Sequence, residues 1–221
     1  MKNSNSEENY LKAIFYLTYK ASKGASTSDL AKRLKTQASS VTDMIKKLAE
    51  KGLLKYKKYQ GVILTAKGKG IAIEIIRKHR LWEVFLVEKL SFKWDEVHDI
   101  AEQLEHIHSK ELVQRLDQFL EFPGFDPHGD PIPDEKGCIR ERPESILLLD
   151  LGQGESGIII GVRDSEDRFL RFLEKQMLLL GTKVNVIEHF DYDDSVQLKV
   201  NDVEKTVSKK VARNIIIEKY V

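Results

Sequence analysis

The 221-residue sequence has a single cysteine, Cys138. No intrachain disulfide can form, and a reducing compartment is expected. There are only five prolines, and four of them crowd into PGFDPHGDPIPDEKG, Pro123 to Gly137. That stretch can be neither helix nor central strand, so it reads as a boundary or an ordered linker. No run approaches the roughly 18 apolar residues of a membrane span, and MKNSNSEENYLK lacks an apolar core of signal-peptide length. A soluble, cytoplasmic protein with no membrane partner is expected. An excess of either charge is also missing: 36 basic against 35 acidic residues leave a formal net charge of +1. Such a balance is compatible with a basic face offset by an acidic one. Neither an HExxH motif nor a nucleophile beside a base occurs, so an enzyme is not expected.

The first third reads as helix, helix, turn, helix, then a basic hairpin. Tyr10, Leu11, Ile14, Phe15 and Leu17 have helical spacing, and Gly24 breaks it. Ser26 and Thr27 can cap a second helix, Ser28 to Leu34. After KTQA a third helix starts at Ser39 or Ser40 and ends at Gly52, a residue suited to a left-handed cap. Leu53–Tyr56 and Val62–Thr65 are strand-like around a YQG turn. This order is that of a winged helix-turn-helix, whose partner is double-stranded DNA. Lys46 and Lys47 on the third helix, and Lys55, Lys57, Lys58, Lys67 and Lys69 around the hairpin, are candidates for phosphates. Thr36, Gln37, Ser39, Ser40 and Thr42 sit where base edges would be read. Thr27 joins this set at the start of the second helix. Asp43 is unusual on a DNA face; it aims either at a cytosine amine or away from the DNA.

From about Ile71 to Phe122 the pattern is helical, including IAIEIIRKHRLWEVFLVEKL, whose polar face carries Arg77 and Arg80. Three of the six histidines fall within VHDIAEQLEHIH, Val97 to His108. On a helix, His98, Glu102, Glu105 and His106 share one side, and Ile100, Leu104 and Ile107 the other. His79 and Glu83 form a second pair at i, i+4. Imidazole and carboxylate together bind divalent transition ions. With no thiolate in the set, manganese(II) or iron(II) suits it better than structural zinc. The alternative is that this is only the solvated side of an amphipathic helix, on a DNA-binding regulator that does not sense metal. His108 points away from the set, and His189 has no evident partner. After the proline-rich loop, SILLLDL, SGIIIGVRD, TKVNVIEHF, VQLKV and NIIIEKY suggest a small β-barrel, interrupted by a helix at about Ser165–Leu180.

The chain resembles the diphtheria toxin repressor family of metal-dependent transcription regulators. The resemblance spans nearly the whole length. It is densest in SSVTDMIKKLAEKGLL, GVILTAKGKGIA, IRKHRLWEVFL, EVHDIAEQLEHIHSKELVQRL and PHGDPIP. It implies a mainly α fold with a β-rich C-terminal domain: a winged helix-turn-helix over residues 1–72, a helical metal-binding and dimerisation domain over 73–142, and an SH3-like domain over 143–221. It further implies a homodimeric repressor of metal-uptake genes, activated by Mn2+, with Fe2+ as the other candidate. By position, Glu102, Glu105 and His106 match the regulatory metal site, completed by Asn9. His79, Glu83 and His98 match an ancillary site. The PHG loop adds His128 and Asp126, with Asp164 or Glu166 as further carboxylates. Glutamate at position 102, where iron-responsive relatives have cysteine, argues for manganese. Asn9 replaces a methionine or aspartate and removes a negative charge from the site. Lys12 stands where a branch with paired manganese ions has glutamate, which argues against such a pair here.

Overall fold

The structure, a computed structural model, describes residues 3–19, 21, 23–57, 61–142 and 144–219. It divides into two compact units. The first comprises Met1–His79, Glu102–Gln114 and Pro133–Cys138; the second comprises Arg80–Ala101, Arg115–Ile132 and Ile139–Val221.

The first unit opens with α1 (Asn5–Thr18), α2 (Thr27–Arg33) and α3 (Ala38–Glu50). Helix α1 starts at a capping box: the Glu7 amide donates to Ser4 Oγ and the Ser4 amide to Glu7 Oε2. Ser26 caps α2 by accepting from the Asp29 amide, as its position suggests. Helix α3 begins one residue before Ser39, after Gln37, without a side-chain cap. Leu11, Ile14, Leu30, Val41 and Leu48 fill the core between the three helices. Strands β1 (Leu54–Lys57) and β2 (Gly61–Leu64) form the antiparallel wing. Ala25 pairs with Val62 and ties the wing to the helices.

Helix α4 (Ala66–Leu90) begins five residues before the apolar pattern does. Gly68 explains the early start, because a Cβ there would lie 2.0 Å from the Leu53 carbonyl oxygen. The helix can pass the wing only at a residue without a side chain. Its polar residues Arg77, Lys78, His79, Arg80 and Glu83 are buried rather than solvated. Burial of such groups requires partners. Arg77 donates to the Pro133 carbonyl, Lys78 to the Ile107 carbonyl and Arg80 to the Pro131 carbonyl. Two shorter helices follow, α5 (His98–Leu104) and α6 (Lys110–Phe119).

The second unit contains an antiparallel six-stranded sheet of β3 (Ser145–Leu147), β4 (Ser156–Val162), β5 (Lys183–Phe190), β6 (Ser195–Val200), β7 (Val203–Val207) and β8 (Ile215–Lys219). Its strand order is β3-β8-β4-β5-β6-β7. Asn201 and Asp202, with φ of 48° and 63°, make the two-residue hairpin between β6 and β7. Helix α7 (Asp167–Lys175) is shorter than its sequence pattern suggested, and α8 (Lys209–Ala212) is a single turn capped by Ser208. The core holds Leu148, Ile159, Leu173, Val186, Val196, Leu198 and Ile217, with Trp94 packed into it. Among the described residues no helix is long and apolar enough to cross a membrane.

Candidate metal centre and nucleic-acid interface

Within the first unit, α1 meets the segment 102–106. The Glu105 side chain is fully buried there. It receives two hydrogen bonds from Lys12 Nζ, at 2.7 and 2.8 Å, and its Oε2 lies 2.7 Å from His79 Nδ1. Burial pushes the Glu105 carboxyl up, but the bond from His79 and the Lys12 charge outweigh it and hold the group below the ordinary glutamate value. Lys12 also reaches Glu102 Oε1, at 3.3 Å. Thus Glu102 and Glu105 are held by one ammonium. His106 Nδ1 lies 2.7 Å from Glu8 Oε2, while its Nε2 lies 3.8 Å from Glu105 Oε1. Asn9 Oδ1 is buried without a hydrogen-bond partner. A buried, orphaned acceptor is an unusual cost in a folded protein, and it fits a cation.

His79 therefore touches Glu105, a residue that sequence spacing assigned to the other set. Glu8, the partner of His106, is a residue that sequence reasoning missed. Its one signal was the i, i+4 spacing to Lys12 on α1. Lys78 was missed as well: burial pulls its ammonium below the ordinary lysine value, against the raising influence of Glu8, Glu74 and Glu105. His108, expected to point away, is partly exposed with Nδ1 3.9 Å from Glu8 Oε1.

The second unit holds a separate donor cluster. Ligand atoms of Glu83, Asp126 and His128, all buried, lie within 4.8 Å of one another. Helix α4 supplies Glu83, and the PHG loop supplies the other two. Asp126 Oδ1 accepts the amides of His128 and Asp130, at 2.8 and 2.9 Å, and so closes the loop on itself. Gly129 lies flat on β4 with φ +83°, where a Cβ would meet the Ile160 carbonyl at 2.1 Å. The His128 carbonyl accepts from the Val162 amide, at 3.0 Å. His128 Nε2 donates to the Trp94 carbonyl, which leaves Nδ1 facing Glu83 Oε2 at 3.7 Å. Burial, then the charges of Glu83 and Asp130, raise the Asp126 carboxyl to about 7 against the opposing pull of Arg80 and His128. Burial lowers His128, but Glu83, Asp126 and the Trp94 carbonyl raise it to about 9. Two buried carboxylates and an imidazole suit a divalent ion with nitrogen and oxygen preference. His98 Nδ1 lies 3.4 Å from Glu83 Oε1 at the cluster's edge.

The other candidates make local contacts. Asp164 accepts from the Glu166 amide, and Glu166 pairs with Arg168. His189 does have a partner: its Nε2 donates to the Leu151 carbonyl at 2.8 Å.

On the winged helix, Gln37, Ser39, Ser40, Thr42, Asp43 and Lys46 are exposed at the front and outer side of α3, and Thr27 and Thr36 are half-buried near α2. Thr42 Oγ1 bonds its own helix at the Ala38 carbonyl. Asp43 sits 3.7 Å from Lys46. Lys47 reaches back to Glu7, at 3.2 Å. Lys58 lies outside the described residues.

Three family models match the chain. The iron-dependent repressor N-terminal DNA-binding domain covers residues 2–62, the iron-dependent repressor metal-binding and dimerisation domain covers 65–134, and the FeoA domain covers 146–219. The chain is 31% identical to the iron-dependent repressor IdeR of Mycobacterium leprae over 199 residues, 85% of this chain and 77% of that one. It is 33% identical to the transcriptional regulator MntR of Oceanobacillus iheyensis over 142 residues, 64% of this chain and 93% of the relative. A manganese-dependent transcriptional repressor solved with manganese superposes with a TM-score of 0.85 at 32% identity, covering 97% of this chain and 100% of that one. ScaR with bound Cd2+ superposes with a TM-score of 0.79 at 31% identity, covering 97% and 99%.

The winged helix, the donor clusters and these likenesses define a metal-dependent transcriptional repressor. The chain belongs to the diphtheria toxin repressor family, with a FeoA-type, SH3-like C-terminal domain.

Proposed function

We propose that this protein represses metal-uptake genes when manganese(II), or else iron(II), is abundant. Glu102, Glu105 and His106 would hold the regulatory ion together with Asn9 Oδ1. Glu83, Asp126 and His128, with His98 beside them, would hold an ancillary ion. A bound divalent ion supplies the positive charge that lets these carboxylates sit together. The observation that carries the reading is the orphaned Asn9 Oδ1 on α1, buried in the unit that also contains Glu105 and His106.

Helix α1 is the first helix of the winged domain. Pinning it through Asn9 fixes where α3 stands. Glu8 orients the His106 ring, so that Nε2 is the nitrogen left for a ligand. Metal and DNA then favour the same conformation, and each raises the affinity for the other. The protein acts as a cytoplasmic homodimer that presents two recognition helices to half-sites about 34 Å apart. Phe119 and Phe122, 60% and 63% exposed, are large apolar side chains that a second copy would cover.

A second reading is a winged-helix regulator that does not sense metal at Glu102 and Glu105. The observation favouring it is Lys12, whose ammonium already neutralises those carboxylates. One experiment separates the two. Metal-stripped protein is incubated with sheared genomic DNA from its source, with and without manganese(II), and the retained fragments are sequenced. Enrichment of specific fragments only with metal is the result expected; equal enrichment in both would establish the second reading.

A further inference from the structure

We infer that Lys12 is a built-in competitor of the regulatory metal: its ammonium occupies the Glu102–Glu105 carboxylates in the absence of the ion, and must leave when the ion enters. This inference rests on the proposed regulatory site at Glu102, Glu105 and His106.

Lys12 Nζ makes three contacts below 3.4 Å to the two glutamates. Two of these go to both oxygens of one carboxylate whose side chain has no exposed surface. Lys12 is itself only 12% exposed. This is not a loose surface pair of negligible strength. Both partners are desolvated, and removing one leaves a buried charge uncompensated. The other nearby cation does not fill this role, because Lys78 Nζ donates to the Ile107 carbonyl.

The carboxylate oxygens that Lys12 holds are those an incoming ion needs. An ion seated on the Glu105 carboxylate would face the Lys12 ammonium at close range in a desolvated site, where two positive charges repel strongly. The measured metal affinity is then the intrinsic affinity reduced by the cost of expelling Lys12. The device has two consequences. It sets the metal concentration at which the switch responds, and it neutralises the buried Glu105 carboxylate when metal is scarce. Released Lys12 has a four-carbon stem and a strongly hydrated head, so it can swing to solvent.

The test uses the full-length, metal-stripped protein and manganese(II), with bound ion read from loss of the free-ion electron paramagnetic resonance signal. Three variants are compared with the wild type: Lys12→Gln, Lys12→Arg and Glu105→Gln. Lys12→Gln should bind the first ion roughly tenfold more tightly, the worth of one charge-assisted hydrogen bond. Lys12→Arg retains the competing charge and should gain nothing. Unchanged or weaker binding by Lys12→Gln, with Glu105→Gln impaired, would overturn the inference and leave the site standing. Unimpaired binding by Glu105→Gln would instead remove the regulatory-site reading itself. If Lys12→Gln does not fold, the wild type still decides the matter by amine-reactive footprinting with mass spectrometry. The reactivity of Lys12 should rise several-fold on saturation with manganese(II); continued protection of Lys12 at saturation would overturn the inference.

Discussion

Oε2 of Glu8 stands 2.7 Å from Nδ1 of His106, across 98 residues of sequence. The contact joins the first helix of the winged domain to the segment that carries the proposed regulatory donors. It also selects the tautomer of the ring: with Nδ1–H given to Glu8, the lone pair lies on Nε2, on the side of Glu105. A carboxylate that orients a ligating imidazole is worth about 10–100-fold in metal affinity. Glu8→Ala should therefore weaken manganese(II) binding by roughly that factor while leaving the number of ions per chain unchanged. Equilibrium dialysis at pH 7 measures both quantities. Loss of a whole equivalent would instead make Glu8 a direct ligand.

Glu7, the neighbour of Glu8, anchors the other side of α1. Burial raises its carboxyl, but hydrogen bonds from Lys51, the Ser4 amide and Lys47 prevail and hold it at about 2, against an ordinary 4.5. A depressed carboxylate contributes stability above its unfolded value and loses it as pH falls through the folded one. The winged domain should therefore lose stability progressively between about pH 4.5 and 2. Glu7→Gln should flatten that dependence and cost about 1–3 kcal/mol at pH 7, because Lys51 loses its partner. Urea denaturation midpoints at pH 3 and pH 7 for the two proteins check both statements. Equal pH slopes would show that Glu7 does not control this window.

The two adjacent lysines on α3 should behave differently. Lys46 is exposed and pairs with exposed Asp43, whereas Lys47 is engaged with buried Glu7. If Lys46 meets a phosphate, Lys46→Ala should weaken binding to all sequences alike and lower the magnitude of the logarithmic salt slope by about 0.9. Lys47→Ala should change the salt slope less and the thermal midpoint more. Fluorescence anisotropy across a salt series, paired with melting curves, distinguishes the two residues. Identical salt slopes for both variants would remove Lys46 from the phosphate-contacting set.

The winged helix was legible because its signals are local: the Ser26 cap, the helical spacing of Leu11 and Ile14, and the alternation around the YQG turn. Helical periodicity groups Glu102, Glu105 and His106 in the sequence, whereas in the structure α5 ends at Leu104, Glu105 and His106 stand in the turn that follows, and Lys12 is what joins Glu102 to Glu105. What the sequence hid is what lies far apart in the chain. Glu8 and Lys12 reach their partners over more than 90 residues, and no spacing rule speaks to that distance. The polar face of α4 misled in another way. Arg77 and Arg80 read only as a polar face, and the carbonyls of Pro133 and Pro131 satisfy them inside the protein. A proline-rich loop offers carbonyls that no strand or helix consumes. That is why this loop can surround buried arginines, a part that its reading as a boundary or an ordered linker does not contain.

The same loop yields the sharpest structural prediction. Gly129 has φ +83°, and a Cβ there would fall 2.1 Å from the Ile160 carbonyl oxygen and 2.5 Å from the Gly161 Cα. Neither neighbour is the tip of a flexible side chain, so the loop must lift from β4. Gly129→Ala should cost roughly 1–3 kcal/mol through the combined strain and clash. The loop moves as one piece, because Asp126 holds the amides of His128 and Asp130. Lifting it should draw Asp126 and His128 away from Glu83 and remove one bound ion per chain, while binding that depends on Glu105 persists. His128→Gln should remove the same ion without the backbone strain. Metal counting by plasma mass spectrometry, alongside thermal midpoints, tests the pair. A Gly129→Ala protein with full metal content and an unchanged midpoint would show that the close approach to β4 does not position this cluster.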